Sequence, residues 1–521
     1  TNKAAQEMKE RVHSIVSMDS SKINIGTFHS ICAAILRRHI HHLGYENNFT
    51  IYDQKDAISA VKGVILDMGL DIKKFDPKYF YYMISNSKNQ LISPEGMDKM
   101  AGSYIDEKLA DIYKDYQIAL KESNALDFDD LLILPLELFK VNQELLHYYQ
   151  KSFQYVLIDE YQDTNKPQFE FVKCIAGKHQ DICVVGDDDQ SIYGWRGADV
   201  SNILDFSNSF PDPFVIKLEQ NYRSTKSILD VANSVIKNNI TRAEKSLWTN
   251  NEKGPSVSYL SLYNDRLEAT RIVETIQDKC KKDFSLNDVV VLYRTNYQSR
   301  QIEDFLRRKS IPYNIVGGVK FYERKEIKDV LAYLRLISNL KDQVSLLRVV
   351  NFPPRGIGKT TINKILELKL DSNLSVFEIL DSGSDISVGK KQSESIKDFS
   401  NIIKRLGDMS NKKSAYEVAL ELVSIINLKD YYCGNEIAED IERWENIQEL
   451  LNSIQEYCNH SDKKDLQSFL EEVSLLTDID RWNNNDEAIT LMTVHSSKGL
   501  EFPLVFSTRS GRNSLICTNP S

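Results

Sequence analysis

The chain has 521 residues, a net charge of −10, and 41% hydrophobic and 27% charged residues. That length is too great for one hydrophobic core and implies several domains. The composition is that of a globular protein, and no apolar run approaches the roughly 20 residues of a membrane span. The acidic total argues mildly against nucleic acid as a partner, although a basic groove can lie on an acidic body. No signal-peptide pattern is visible. Seven cysteines are scattered without a CxxC pair and read as reduced, mostly structural thiols of a cytoplasmic protein. His39, His41 and His42 have no Cys or carboxylate at ligand spacing, so they read as a solvated helix face rather than a metal site.

Residues 1–46 begin with a helical stretch. They continue into Ile23-Asn24-Ile25-Gly26-Thr27-Phe28-His29-Ser30, a short strand running into a helix. Its Thr/His/Ser cluster can hydrogen-bond phosphate through side chains and free backbone N–H groups, or it can be a plain helix cap. Residues 47–125 are helical in pattern and show no nucleotide chemistry. Tyr155-Val156-Leu157-Ile158 is a short apolar run suited to a strand buried on both faces of a parallel sheet. It ends in Asp159-Glu160, at the edge where open α/β sheets bind ligands. A magnesium–nucleotide site needs such a pair, Asp159 to hold the metal and Glu160 to take a proton from an attacking water. The alternative is an ordinary strand followed by a solvated acidic turn.

Ile182-Cys183-Val184-Val185 is a second buried-strand run. It leads into Gly186-Asp187-Asp188-Asp189-Gln190-Ser191-Ile192-Tyr193-Gly194-Trp195-Arg196-Gly197-Ala198. Gly194, Arg196 and Gly197 make a loop position for Trp195 more apt than a core one. There it could stack on single-stranded bases, contributing roughly 1–3 kcal/mol per base whatever the sequence. Phe214-Val215-Ile216-Lys217-Leu218 and Glu219-Gln220-Asn221-Tyr222-Arg223-Ser224 follow. Val289-Val290-Val291-Leu292-Tyr293 is the clearest later strand, with Arg294 to Arg300 after it.

Residues 343–485 are largely helical. Within them Gly358-Lys359-Thr360 mimics the end of a P-loop, but Pro353 stands where the first glycine belongs and stiffens the loop. Gly356-Ile357-Gly358 therefore reads as a hairpin whose backbone N–H groups grip duplex phosphates, or as a simple helix–helix turn. Ala488 to Val494 returns to strand character and runs into His495-Ser496-Ser497-Lys498-Gly499-Leu500-Glu501-Phe502.

In this order, the Asp159-Glu160 block, the Gly186–Ala198 block and the Glu219–Ser224 block resemble the Walker B, sensor and arginine-finger motifs of superfamily 1 DNA helicases of the UvrD/Rep/PcrA type. The resemblance covers nearly all of residues 1–506. It implies an α/β fold of two RecA-like parallel-sheet motor domains, each with a helical insertion. The first motor domain would be 1–46 and 126–215, with 47–125 inserted. The second would be 216–342 and 486–521, with an accessory domain over 343–485. It also implies an ATP- and Mg²⁺-dependent enzyme moving 3′-to-5′ on single-stranded DNA and opening single-strand/duplex junctions, in repair or replication and alongside proteins of those processes.

The resemblance assigns roles residue by residue. Asp159 binds Mg²⁺ and Glu160 orients the water. Gln190 senses the γ-phosphate. Arg223 is the arginine finger reaching from the second motor domain, with a surface salt bridge as the alternative. Tyr222 stacks on the adenine, and Gly499 and Glu501 lie near the sugar and phosphates. Thr27, His29, Trp195, Arg196, Asn296, Arg300, His495 and the Gly356/Gly358 hairpin contact DNA. The family's P-loop is expected upstream of Thr1. After Phe506 the sequence departs from the family's continuation, and a final arginine motif is absent. The expectation is thus a motor chain without its main phosphate clamp. A non-catalytic DNA-binding module and the motor half of a helicase–nuclease are the alternatives.

Overall fold

A computed structural model describes residues 2–16, 23–240, 242–316, 321–370, 372, 374–383, 386, 388–434, 438–475, 487–508 and 513–518. The Thr27 side chain accepts the Ser30 N–H (3.2 Å) and starts the helix Phe28–His39. Cys32, Ala33, Ile35 and Leu36, one stripe at helical spacing, are buried in the core of the first body. Strand β1 (Thr50–Ile51) then pairs in parallel with β2 (Ala125–Leu126). The helices Gln54–Asp67, Pro77–Asn89 and Tyr104–Glu122 rise between them around Val61, Ile65, Phe80, Ile84, Ile112 and Tyr116. Each of the three opens on an Asp or Ser side chain, Asp53, Asp76 or Ser103, that accepts free helix N–H groups.

The first motor sheet consists, among the described residues, of β3 (Val156–Ile158) and β4 (Ile182–Val184), paired in parallel. Sequence led to a β3 buried on both faces, and this is corrected: Leu157 is 76% exposed while Ile158 is buried. Side chains of a strand alternate between faces. Val156, Ile158, Ile182 and Val184 face the helix Lys166–Ala176 through Val172 and Ala176. The opposite row, Tyr155, Leu157, Cys183 and Val185, is not covered by any described element.

The second body holds a six-stranded sheet in the order β5-β10-β9-β6-β8-β7. These strands are β5 (Ser258–Ser261), β6 (Val289–Tyr293), β7 (Tyr313–Ile315), β8 (Ile489–Thr493), β9 (Leu504–Ser507) and β10 (Asn513–Thr518). Its centre is parallel, and β10 joins β9 and β5 antiparallel. Residues beyond Phe506 thus continue the sheet. Sheets with parallel pairing, interrupted by helices, make the fold α/β.

The helices Lys325–Ser338, Gln343–Val349, Lys390–Ser410, Ala415–Ile425, Ala438–His460 and Leu466–Leu475 share one core that runs from Ile327 to Val473. The expected domain start at 343 falls inside this core, because the Lys325–Ser338 helix packs into it. The accessory helices also meet the first insertion through buried polar groups. Lys328 lies 2.7 Å from Asp53 and 3.4 Å from Asp56, and Arg335 lies 2.6 Å from Asp56. Asn339 donates to Thr50, Ser123 and Asn124, each at 3.0 Å. Among the described residues no helix is long and apolar enough to cross a membrane.

Candidate nucleotide and nucleic-acid site

The site is assembled at the C-terminal ends of β3, β4, β6 and β8. β3 ends at Asp159, whose carboxylate accepts the Glu160 N–H (2.9 Å). Glu160 takes a left-handed backbone (φ 52°), a conformation that costs energy in a non-glycine residue and clusters at functional positions. This turn presents Glu160 beside Gln162, whose buried amide donates to the Glu160 carboxylate (2.6 Å) and accepts the Asp187 N–H (3.0 Å). A Cβ at Gly186 would meet Gln162 Oε1 at 2.5 Å and Ile203 Cδ1 at 2.8 Å, so only glycine lets β4 exit this close.

Lys498, in the loop after β8, reaches into the same network. Its ammonium pairs with Asp163, lies 3.3 Å from Glu160 Oε2, and donates to the Gln190 carbonyl at 2.8 Å. One cation of the second body therefore touches the acidic turn and the Gln190 loop of the first. Burial raises the Asp163 carboxyl above the usual range, and only in part does Lys498 offset this. Gln190 itself donates to Asp187 Oδ2 (2.8 Å). Arg223 donates to Glu501 Oε2 at 2.6 Å, both side chains being largely exposed. In this state it forms the surface ion pair weighed as its alternative role. Tyr222 is exposed, its hydroxyl donating to Gln220 (3.0 Å). Gly499 has φ 83°, which favours glycine.

The nucleic-acid candidates fall into two groups. Trp195 sits on a 3₁₀ turn and is 63% exposed. Its ring stands edge-on to His495 (5.7 Å), and the Arg196 guanidinium lies over it at 4.5 Å. The Tyr193 hydroxyl donates to the His495 carbonyl (2.9 Å), and Arg294 contacts His495 Nε2 (2.6 Å). Burial, then Arg294 and Arg196, lower the His495 pKa. Trp195, Arg196 and His495 thus form one aromatic and cationic surface across both bodies. Thr27 caps the Phe28–His39 helix, and the His29 ring lies 5.6 Å from Phe128, which lines one cavity with Arg196. Asn296 begins a 3₁₀ turn, and Arg300 lies over Tyr297 (5.2 Å).

The Gly356/Gly358 hairpin lies in the accessory domain, between the helices Gln343–Val349 and Lys359–Leu370. Asn351 Oδ1 accepts the Arg355 and Ile357 N–H groups (2.8 and 3.1 Å) and shapes the turn. Gly356 has φ 76°, and the helix Lys359–Leu370 begins directly afterwards. Gly358, Lys359 and Thr360 are exposed at this helix N-terminus, the kind of position that can bind phosphate. Among the described residues no group of three or more His, Cys, Asp or Glu converges as a metal cage.

Sequence reasoning missed Lys498, Gln162 and Arg294. Gln162 follows the Asp159-Glu160 pair by two residues and Lys498 lies in the His495–Phe502 run, so a polar side chain close to a carboxylate at a sheet edge was the available signal. The partner of Arg294 lies 201 positions away, and no local pattern reveals that.

The sequence model of the UvrD/REP helicase N-terminal domain matches residues 1–211, and that of the UvrD-like helicase C-terminal domain matches 216–513. The chain belongs to the UvrD/REP helicase family. The ATP-dependent DNA helicase PcrA of Bacillus subtilis (strain 168) is 45% identical over 513 residues, 97% of this chain and 69% of the relative. The proteins of the same name from Staphylococcus aureus (strain Mu50) and Staphylococcus epidermidis are each 43% identical over 508 residues, covering 97% of this chain and 70% of theirs. The helicase likeness extends past Phe506, where the resemblance had been expected to stop.

Proposed function

We propose that this helicase uses ATP to move 3′-to-5′ along single-stranded DNA and to open duplex DNA at single-strand/duplex junctions, in the cytoplasm, during repair or replication. The observation that carries this reading is Lys498, which links Glu160 and the Gln190 backbone across the two motor bodies. Closure of the cleft on ATP would be felt at once by the acidic turn, the sensor loop and the Trp195–His495 surface.

In this scheme Glu160 orients and deprotonates the attacking water, Gln190 reports the γ-phosphate, and Arg223 exchanges Glu501 for the transferred phosphoryl. Tyr222 stacks on the adenine, with Gly499 and Glu501 beside it. Asp159 is the residue that would hold Mg²⁺. Its donor set fits, since Mg²⁺ is commonly held by one or two carboxylates together with substrate phosphates and waters, without a protein cage. When bound, the ion screens charge on the phosphates. Trp195, Arg196, His495, Asn296 and Arg300 line the single-strand path, Thr27 and His29 extend it, and Gly356 and Gly358 grip the duplex.

Glu160→Gln in the full chain tests the reading. DNA-stimulated ATP turnover should fall about hundredfold or more, the scale of a lost general base, with single-strand affinity unchanged. Turnover near the parent rate would sink it.

A further inference from the structure

The sensor loop carries three aspartates in a row, Asp187, Asp188 and Asp189, and like charges this close repel. They are held by one short segment. The Arg242 guanidinium grips Asp189 with two bonds (3.0 and 2.8 Å). Lys245 pairs with both Asp187 and Asp188 and lies 3.3 Å from Asp189. The Ala243 N–H donates to Asp188 Oδ2 (2.8 Å). Burial pulls the Lys245 pKa down, but Asp187 and Asp188 outweigh it and leave the pKa raised.

The same segment is stitched on its other side to the residues around Arg223. Trp248 exchanges backbone bonds with Glu219 and Asn221 (3.0 and 2.7 Å). Asn251 donates to the Tyr222 and Ser224 carbonyls (3.1 and 3.2 Å). Residues 242–251 therefore lie between the loop of Gln190 and the segment of Arg223, bonded to each. Asp187 is the link, since one carboxylate oxygen takes Lys245 and the other takes the Gln190 amide.

We infer that residues 242–251 are a strap that fixes the register of Gln190 against Arg223, with Arg242 and Lys245 as positioning residues for ATP hydrolysis. The inference rests on the reading of Gln190 as the γ-phosphate sensor. Without the two cations the aspartate row opens, Asp187 turns from Gln190, and the sensor amide loses its direction while the nucleotide and DNA surfaces persist.

The test compares Lys245→Ala, Lys245→Arg, Gln190→Ala and the double variant Lys245→Ala/Gln190→Ala in the full chain, by DNA-stimulated ATPase kinetics and single-strand binding. Lys245→Ala should lower kcat by about tenfold or more with KM for ATP and DNA affinity within about threefold, the signature of an interaction made in the transition state. Lys245→Arg should restore most of the rate. The double variant should be no slower than Gln190→Ala alone, because the two act through one contact. Multiplicative losses, or a parent-like Lys245→Ala beside a slow Gln190→Ala, would overturn the strap. A parent-like Gln190→Ala would instead overturn the sensor reading, and the strap's role with it. Should Lys245→Ala not fold, Arg242→Lys keeps the charge and loses the two-pronged grip. A lowered kcat in that variant supports the strap, and a parent rate overturns it.

Discussion

Lys88 and Lys498 each hold two carboxylates, and their surroundings differ. Lys88 lies 2.7 Å from both Asp127 and Asp130, with lysine and aspartates only 1–2% exposed. The Tyr116 hydroxyl adds a bond to Asp127 (2.9 Å), and the Asp127 and Asp130 backbones cross-bond the carboxylates. Lys498 pairs with Asp163 and Glu160, but the Glu160 side chain is 48% exposed. The first cluster is saturated and dry, so its charges have nowhere else to go, and it fixes the insertion to the first motor body. The second opens to water on the Glu160 side alone, Lys498 and Asp163 being 10% and 17% exposed, and there water can replace a released partner at little cost. That is the setting in which a contact can break and reform as a cleft opens and closes.

Removing Lys88 should break the comparison most severely. Lys88→Met leaves two buried carboxylates uncompensated and should cost about 3–5 kcal/mol of stability, read as a lower urea midpoint. Lys498→Ala should do the reverse. Its stability loss should be smaller, about 1–2 kcal/mol, because Glu160 reaches water and Asp163 can take up a proton, while ATP turnover drops about hundredfold through Glu160 and Gln190. Equal stability losses for the two variants would erase the distinction. A smaller effect sharpens it on the DNA side. Trp195→Ala should weaken single-strand binding by about 1–3 kcal/mol per stacked base without moving the urea midpoint, since the ring is exposed rather than packed. Fluorescence anisotropy with labelled oligonucleotides would measure it.

The contrast also separates what could be read from sequence from what could not. β6, five apolar residues in a row, and the Gly186–Ala198 loop were legible because their chemistry is local. The burial of β3 was misjudged because an apolar run does not say which face a neighbour covers, and Leu157 and Ile158 are adjacent yet opposite. The Lys88 and Lys498 clusters were not foreseen for a related reason. Lys498 and Asp163 are 335 positions apart, and only the folded chain brings them together. The same holds for Lys328 and Arg335, whose partners Asp53 and Asp56 belong to the other helical domain. Thr27 and His29 were singled out for DNA, yet Thr27 commits its hydroxyl to the helix start. A cap and a phosphate ligand use the same atoms, so the sequence alone leaves them alike.

His29 offers the smallest effect and a third setting for a titratable group, one in which burial alone sets the charge. Burial lowers its pKa from the ordinary 6.5 to about 4. As pH falls below 6.5 the unfolded chain takes up this proton and the folded one does not, so stability is complete above that pH and declines as pH falls toward 4. The ring is only half-buried by its own surface, so the loss should be roughly 1 kcal/mol after solvent screening. Urea midpoints at pH 7.5 and pH 5 in the parent and in His29→Asn would show it, the variant falling less steeply. At neutral pH the imidazole carries no charge, so His29→Asn should leave the salt dependence of DNA binding unaltered, whereas loss of a phosphate-contacting cation lowers that slope by about one. A changed slope would mean that His29 is protonated on the nucleic acid, and that DNA reverses the effect of burial there.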